Sequence, residues 1–172
     1  MMVSAVSTTE EILATVDVAR QTLTVTCKGT PVRVYRVSTA RAGVGSVEGS
    51  GRTPPGRHRI VRLFGHGAEP GQVFMSRRAV KGMVIPPSAW RTGASKDYVL
   101  TRILWLAGLE PGVNAGPGID SQARYIYIHG TNQEQLLGTP ASHGCIRMAN
   151  ADVIDFFNYV KRHRSIVVDI RA

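Results

Sequence analysis

Cysteine is scarce in this chain. Two occur in 172 residues, Cys27 and Cys145, so the multi-bridge framework of small disulfide-stapled domains is excluded. At most one bridge can form, and a permanent one would block either sulfur from acting as a nucleophile. Aromatic side chains make up 6%, which argues against a stacking platform for single-stranded nucleic acid. Long apolar runs are missing as well. Ile103-Leu104-Trp105-Leu106-Ala107 is far too short to cross a membrane. Repeats and low-complexity tracts are also lacking. The first residues carry neither a basic start nor an apolar stretch of signal-peptide length, and Glu10 and Glu11 follow soon. The expectation is a cytoplasmic protein, or a periplasmic one if an export signal has been removed.

Acids are outnumbered, 12 against 21 basic residues, for a formal charge of +9. Arginine supplies most of the excess, and it is scattered rather than run together. Such a surface either attracts a carboxylate-rich partner or is simply well solvated. No nucleic-acid motif accompanies it, so no nucleic-acid partner is expected. With 43% hydrophobic and 19% charged residues, the chain has enough apolar material for one domain with its own core. The expected organisation is a short segment over 1–13 and a single domain over 14–172, with a loop-rich insertion at about 65–121. Composition says nothing about oligomeric state.

The first third reads as strands over Thr15 to Val18, Thr22 to Thr26 and Val32 to Val37, from their alternating β-branched and apolar residues. A glycine-rich loop from Arg41 ends in Thr53-Pro54-Pro55-Gly56, a rigid turn into a strand around His58 to Arg62. Tyr98 to Leu106 suits a strand or a short buried helix. Leu109 to Ser121 reads as a surface loop positioned to cover a site. Arg124 to His129 is a strand whose alternation sets Ile126 and Ile128 against Tyr125, Tyr127 and His129. Asn150 is the expected cap of a helix running to about Arg162. Ser165 to Ile170 is a closing strand.

The chemistry concentrates in Ser142-His143-Gly144-Cys145-Ile146-Arg147, with His129-Gly130 upstream. A cysteine becomes a strong nucleophile as its thiolate, and a nearby imidazole is the usual means of forming one. His129, at the end of a strand, is the candidate base, with a backbone carbonyl near Gly130 to orient it. The turn His143-Gly144-Cys145 can present consecutive N–H groups to an oxyanion. Arg147 is placed to bind a carboxylate. Each residue also has a plainer role: a structural His129, an inert buried Cys145, a His143 bonded within its loop, an Arg147 paired with Asp152. Zinc held by His129, His143 and Cys145 lacks a further cysteine or acidic ligand nearby, so neither a metal nor another cofactor is expected.

His129-Gly130 followed by Ser142-His143-Gly144-Cys145-Ile146-Arg147-Met148 resembles the active-site signature of YkuD-type L,D-transpeptidases. Tyr35-Arg36-Val37-Ser38-Thr39, the Thr53-Pro54-Pro55-Gly56 turn and the closing strand resemble the family too. The resemblance implies a mostly β, sandwich-type catalytic domain with a few helices. It implies Cys145 as nucleophile, His129 as general base and the Gly130 carbonyl as its orienting group. His143, Gly144 and Cys145 would line the oxyanion hole. Ser142 would support the site, and Arg147, Ser142 and Tyr127 would contact substrate. The implied substrates are peptidoglycan stem peptides, attacked at the amide between an L-centre and terminal D-alanine. Water as acceptor gives an L,D-carboxypeptidase that trims muropeptides; an amine acceptor gives a cross-link. Because family members without signal peptides are similar to cytoplasmic recycling enzymes, trimming is the expected outcome.

Overall fold

Alternation of apolar and polar residues makes the first third a meander. A computed structural model describes residues 12–163 and 165–172; residues 1–11 of the expected N-terminal segment lie outside them. Strands β1 (Ile12–Asp17), β2 (Thr22–Cys27) and β3 (Thr30–Ser38) pair antiparallel. They turn Ile12, Ala14, Val16, Leu23, Val25, Tyr35 and Val37 into one core. β4 (Gly56–Phe64), β5 (Gln72–Met75), β6 (Arg78–Val84), β7 (Val99–Gly108), β8 (Tyr127–Gly130), β9 (Ile146–Met148) and β10 (Ile166–Arg171) complete the sheet. Its order is β4-β10-β1-β2-β3-β9-β8-β7-β5-β6. β4 also pairs with β7, which closes the sheet into a barrel-like sandwich and leaves β5 and β6 as a hairpin on its edge.

The ambiguous stretch around Tyr98 to Leu106 is therefore a strand. β7 is buried along most of its length and joins β4, β5 and β8. Residues 65–121, expected as a loop-rich insertion, thus contribute a structural wall of the barrel. Glycine and proline breaks on either side concealed it. A continuous apolar run carries no period to identify it, because both faces of β7 are covered.

The helix α1 (Asn150–Arg162) packs Val153, Phe156, Phe157 and Val160 into the main core. Asn150 does not cap it. Ala149 occupies the cap position without a side-chain bond, and Glu134 supplies the acceptor, taking the Asn150 N–H at 2.8 Å. A carboxylate at a helix N-terminus also meets the favourable end of the helix dipole. The buried Asn150 amide instead donates to Thr131 O at 2.8 Å and accepts from Thr101 Oγ1. It ties the helix to the chain just beyond β8.

Candidate active site

Two neighbouring strands, β8 and β9, carry the chemistry. They run parallel, with His129 opposite Arg147 and Ile128 opposite Ile146. Side chains alternate across a strand. Ile128 and Ile146 enter the main core, so Tyr127, His129 and Arg147 project from the other face. Cys145, one residue before β9, packs against the cluster of Phe74, Ile103 and Tyr127. Folding thus brings the sulfur and the imidazole to one side of one strand pair.

The sulfur is half-buried. It accepts the Tyr127 N–H at 3.3 Å and lies 3.5 Å from Tyr125 O. It lines an open cleft of about 390 Å³ with Arg124, Tyr125, His143 and Gly144. Burial pushes the thiol up to about 11, the Tyr127 N–H and Arg147 working against that rise. His129 is 3% exposed, and burial lowers its pKa. Burial thus favours the neutral thiol and the neutral imidazole. His129 Nδ1 lies 2.7 Å from Gly130 O. A carbonyl oxygen accepts only, so Nδ1 carries the proton and Nε2 keeps the lone pair needed by a base. Gly130 is required for space: a Cβ there would collide with Asn150 Oδ1 and Leu100 O.

The turn before the cysteine is pinned on several sides. Ala141 N and Ser142 N both donate to Thr39 O at 2.9 Å, and Arg41 N donates to Ser142 O at 3.0 Å. Ser142 Oγ accepts from Gly144 N and donates to Cys145 O. The fully buried Thr53 hydroxyl donates to Gly144 O and accepts from Ala40 N, both at 2.9 Å. Gly144 itself holds φ +136, a value open to glycine and costly for other residues.

A family model of the YkuD L,D-transpeptidase catalytic domain matches residues 11–168. This chain belongs to the YkuD family. Solved structures agree on the fold. An L,D-transpeptidase from Mycobacterium smegmatis superposes with TM-score 0.53 at 21% identity, over 95% of this chain and 59% of its own. L,D-transpeptidase 3 from Mycobacterium tuberculosis, in complex with a faropenem-derived adduct, gives 0.53 at 14% identity, over 95% and 61%. The chain thus spans about three-fifths of the length of these relatives. No curated protein matches it significantly in sequence.

Within this YkuD domain, His143, Gly144 and Cys145 line the cleft, whereas His129, Gly130, Tyr127 and Ser142 are buried. Arg147 lies apart from the cleft lining. It is 1% exposed, its Nη2 sits 2.6 Å from Asp97 Oδ2, and its Nη1 donates to Gln133 Oε1 at 3.1 Å. Its acid partner is therefore Asp97, not Asp152, and its guanidinium is held inside the domain rather than offered to a substrate carboxylate. Tyr127 is also largely buried; its hydroxyl accepts from Arg77 Nη1 at 2.9 Å. Among the described residues no group of His, Cys, Asp and Glu is arranged to hold a metal.

Sequence reasoning missed Asp97, Arg124, Arg77 and the bonding role of Thr53. Asp97 sits in an exposed polar stretch with no motif around it. A strap over 90–98 is laid against the site by Asn132, which accepts from Tyr98 N and donates to Lys96 O, both at 2.8 Å. In the sequence Arg124 reads as the start of a strand. Its guanidinium instead donates to Gly45 O and Arg52 O, tying the glycine-rich loop to the cleft. The Thr-Pro-Pro-Gly turn was the one available signal, and it marked Thr53 without explaining it.

Proposed function

We propose that this domain is a cysteine acyltransferase of peptidoglycan stem tetrapeptides that acts mainly as an L,D-carboxypeptidase. The observation that carries this reading is the Cys145–His129 arrangement, a cleft-lining sulfur on the same strand-pair face as an imidazole whose Nδ1 is fixed by Gly130. The sulfur attacks the carbonyl carbon of the amide joining the L-centre to D-alanine, and its proton passes to His129 Nε2. The backbone N–H groups of the turn at His143 and Cys145 face the developing oxyanion; Gly144's N–H is engaged by Ser142 Oγ. Collapse breaks the C–N bond, and the D-alanine nitrogen leaves with the proton held by His129. Water, giving up a proton to His129, then hydrolyses the thioester, and that proton returns to sulfur.

Trimming of soluble muropeptides in the cytoplasm is the role that fits this outcome, and fractionation of the full-length gene product tests the compartment. A second reading, transfer to an amine, draws support from a neighbouring cleft of about 430 Å³ lined by Trp105, Asp120, Gln122, Ala123 and Tyr125. It shares Ala123 and Tyr125 with the first, which leaves room for a second peptide. The deciding experiment incubates the protein with disaccharide-tetrapeptide and follows D-alanine by mass spectrometry. Release that requires Cys145 and proceeds in water supports the carboxypeptidase. Product formed only with an added amine favours transfer, and turnover surviving Cys145→Ala removes the proposed nucleophile.

A further inference from the structure

Two arginines, Arg147 and Arg124, act on the Cys145 sulfur and have their charge answered; a third, Arg77, bonds the adjacent Tyr127. Arg147 is paired with Asp97. Arg124 is bonded to two carbonyls and feels the carboxylate of Glu48. Arg77 differs: among the described residues no carboxylate pairs with it. Its guanidinium lies 4.8 Å from the ring centre of Trp105 and 5.0 Å from that of Tyr125, rings that stack on each other at 5.9 Å. One N–H reaches Tyr127 Oη, and Tyr127 packs against Cys145. An arginine makes several N–H bonds in one plane, so edge donors remain for a ligand. The other charge at the Trp105–Tyr125 cleft, Asp120, is bonded to the backbone N–H groups of Ala123 and Gly116.

The backbone beneath Arg77 adds a second observation. Ser76 and Arg77 form the two-residue turn between β5 and β6, at φ 46 and φ 67. Hairpin turns of this shape favour Asn and Gly, because other side chains are strained there. Strain of this kind points towards a function for the residue that bears it. Here it accompanies a cation laid over two aromatic rings and bonded to Tyr127.

We propose that Arg77 is a specificity-determining residue that binds a carboxylate of the peptide lying in the Trp105–Tyr125 cleft, several bonds from the amide being broken. The proposal rests on the acyl-transfer reading above and adds which peptides it selects. The half-exposed Tyr125 ring (52% exposed) packs against the apolar part of that peptide, and the Arg77 edge donors meet its charge. A charge-assisted contact of this kind gives about ten- to a hundredfold selectivity for the acid over its amide.

The test compares one tetrapeptide carrying a free side-chain carboxylate with the same peptide carrying a carboxamide there, using the wild-type chain, Arg77→Gly and Arg77→Lys. The expected acid-over-amide ratio of kcat/KM is about ten or more in the wild type. It falls to near one in Arg77→Gly, whose backbone suits the turn, and is largely restored in Arg77→Lys. A ratio unchanged by Arg77→Gly overturns the proposal. If neither peptide turns over, the acyl-transfer reading fails, and a substrate-free measurement decides Arg77 separately. Cys145 is alkylated by a maleimide bearing a carboxylate on a five-carbon tether and by its amide counterpart. A rate preference for the acid that disappears in Arg77→Gly supports the anion site; the same preference in both chains overturns it.

Discussion

Arg147 and Asp97 form a 2.6 Å ion pair that acts on His129, with the arginine side chain almost wholly buried. Arg147 stands directly across from His129 in the parallel register. The two charges act on the imidazole in opposite directions, Asp97 favouring its protonated form and Arg147 opposing it. The pair therefore holds a charge balance around His129 while tying the 90–98 strap to the sheet.

Breaking that pair has a predicted sign. Arg147→Met leaves the Asp97 carboxylate unopposed, so His129 gains basicity and the acid limb of Cys145 acylation moves to higher pH. Asp97→Asn moves it to lower pH. Removing the arginine also costs about 2–3 kcal/mol of stability, less than for a fully buried pair because Asp97 is partly exposed. Urea denaturation of both singles and the double variant gives the coupling, expected at about 1 kcal/mol or more. pH profiles that do not move in either single variant would sink the assignment.

Neutral partners at rest give a second prediction. Acylation of Cys145 by a stem tetrapeptide should form one adduct per chain and leave Cys27 unmodified. His129→Ala should slow it by about 10²–10⁴-fold at pH 7. The thiol sits at about 11, so thiolate forms without help as pH rises towards that value, and the deficit of the variant shrinks. Intact-mass kinetics between pH 6 and pH 10 measure both effects. A deficit constant across that range would remove His129 as the base.

Thr53 is expected to matter through geometry. Thr53→Val deletes the hydroxyl bonded to Gly144 O and Ala40 N and leaves two buried backbone groups unsatisfied, at a cost of about 1–3 kcal/mol each. D-alanine release should fall in kcat more than KM rises, because the turn bearing the nucleophile is loosened. Thr53→Ser keeps the hydroxyl and should recover most of both. A Thr53→Val variant as active and as stable as the wild type would mean that these hydrogen bonds do not hold the turn.

Two buried histidines predict acid sensitivity. Burial lowers the pKa of His129 and of His58, whose ring bonds Gly56 O and Ser121 Oγ. The unfolded chain takes up these protons at about pH 6.5, before the folded chain does. Stability contributed above that pH is therefore lost as pH falls through the window below it. Thermal melts from pH 8 to pH 5 should show this decline, and His58→Gln should make it shallower. Equal slopes in the two proteins would exclude His58 as a contributor.

Much of the framework was legible. The strands expected over Thr15 to Val18, Thr22 to Thr26 and Val32 to Val37 appear as β1, β2 and β3, because each has one buried and one more exposed face and writes that alternation into its residues. The closing strand and the helix to Arg162 were visible for similar reasons. β7 was not, since a strand covered on both faces shows no alternation. Arg124 and Tyr125 read as strand yet lie in a turn, where Tyr125 adopts φ +57. Asn150 read as a cap because its residue type suits one, although its amide is consumed by Thr131 and Thr101.

By itself the sequence determined the family and marked Cys145 and His129 as the candidate nucleophile and base, since Ser-His-Gly-Cys and His-Gly are local signatures of fixed order. Only tertiary structure decided which acid meets Arg147, which hydroxyl anchors Gly144 and which arginine lies over Trp105 and Tyr125. Those partners come from remote segments: Asp97 from a polar strap, Thr53 from a loop, Arg77 from a hairpin tip. Hydrogen bonds and ion pairs act over a few ångströms in space, and chain spacing does not encode that proximity until the sheet has closed.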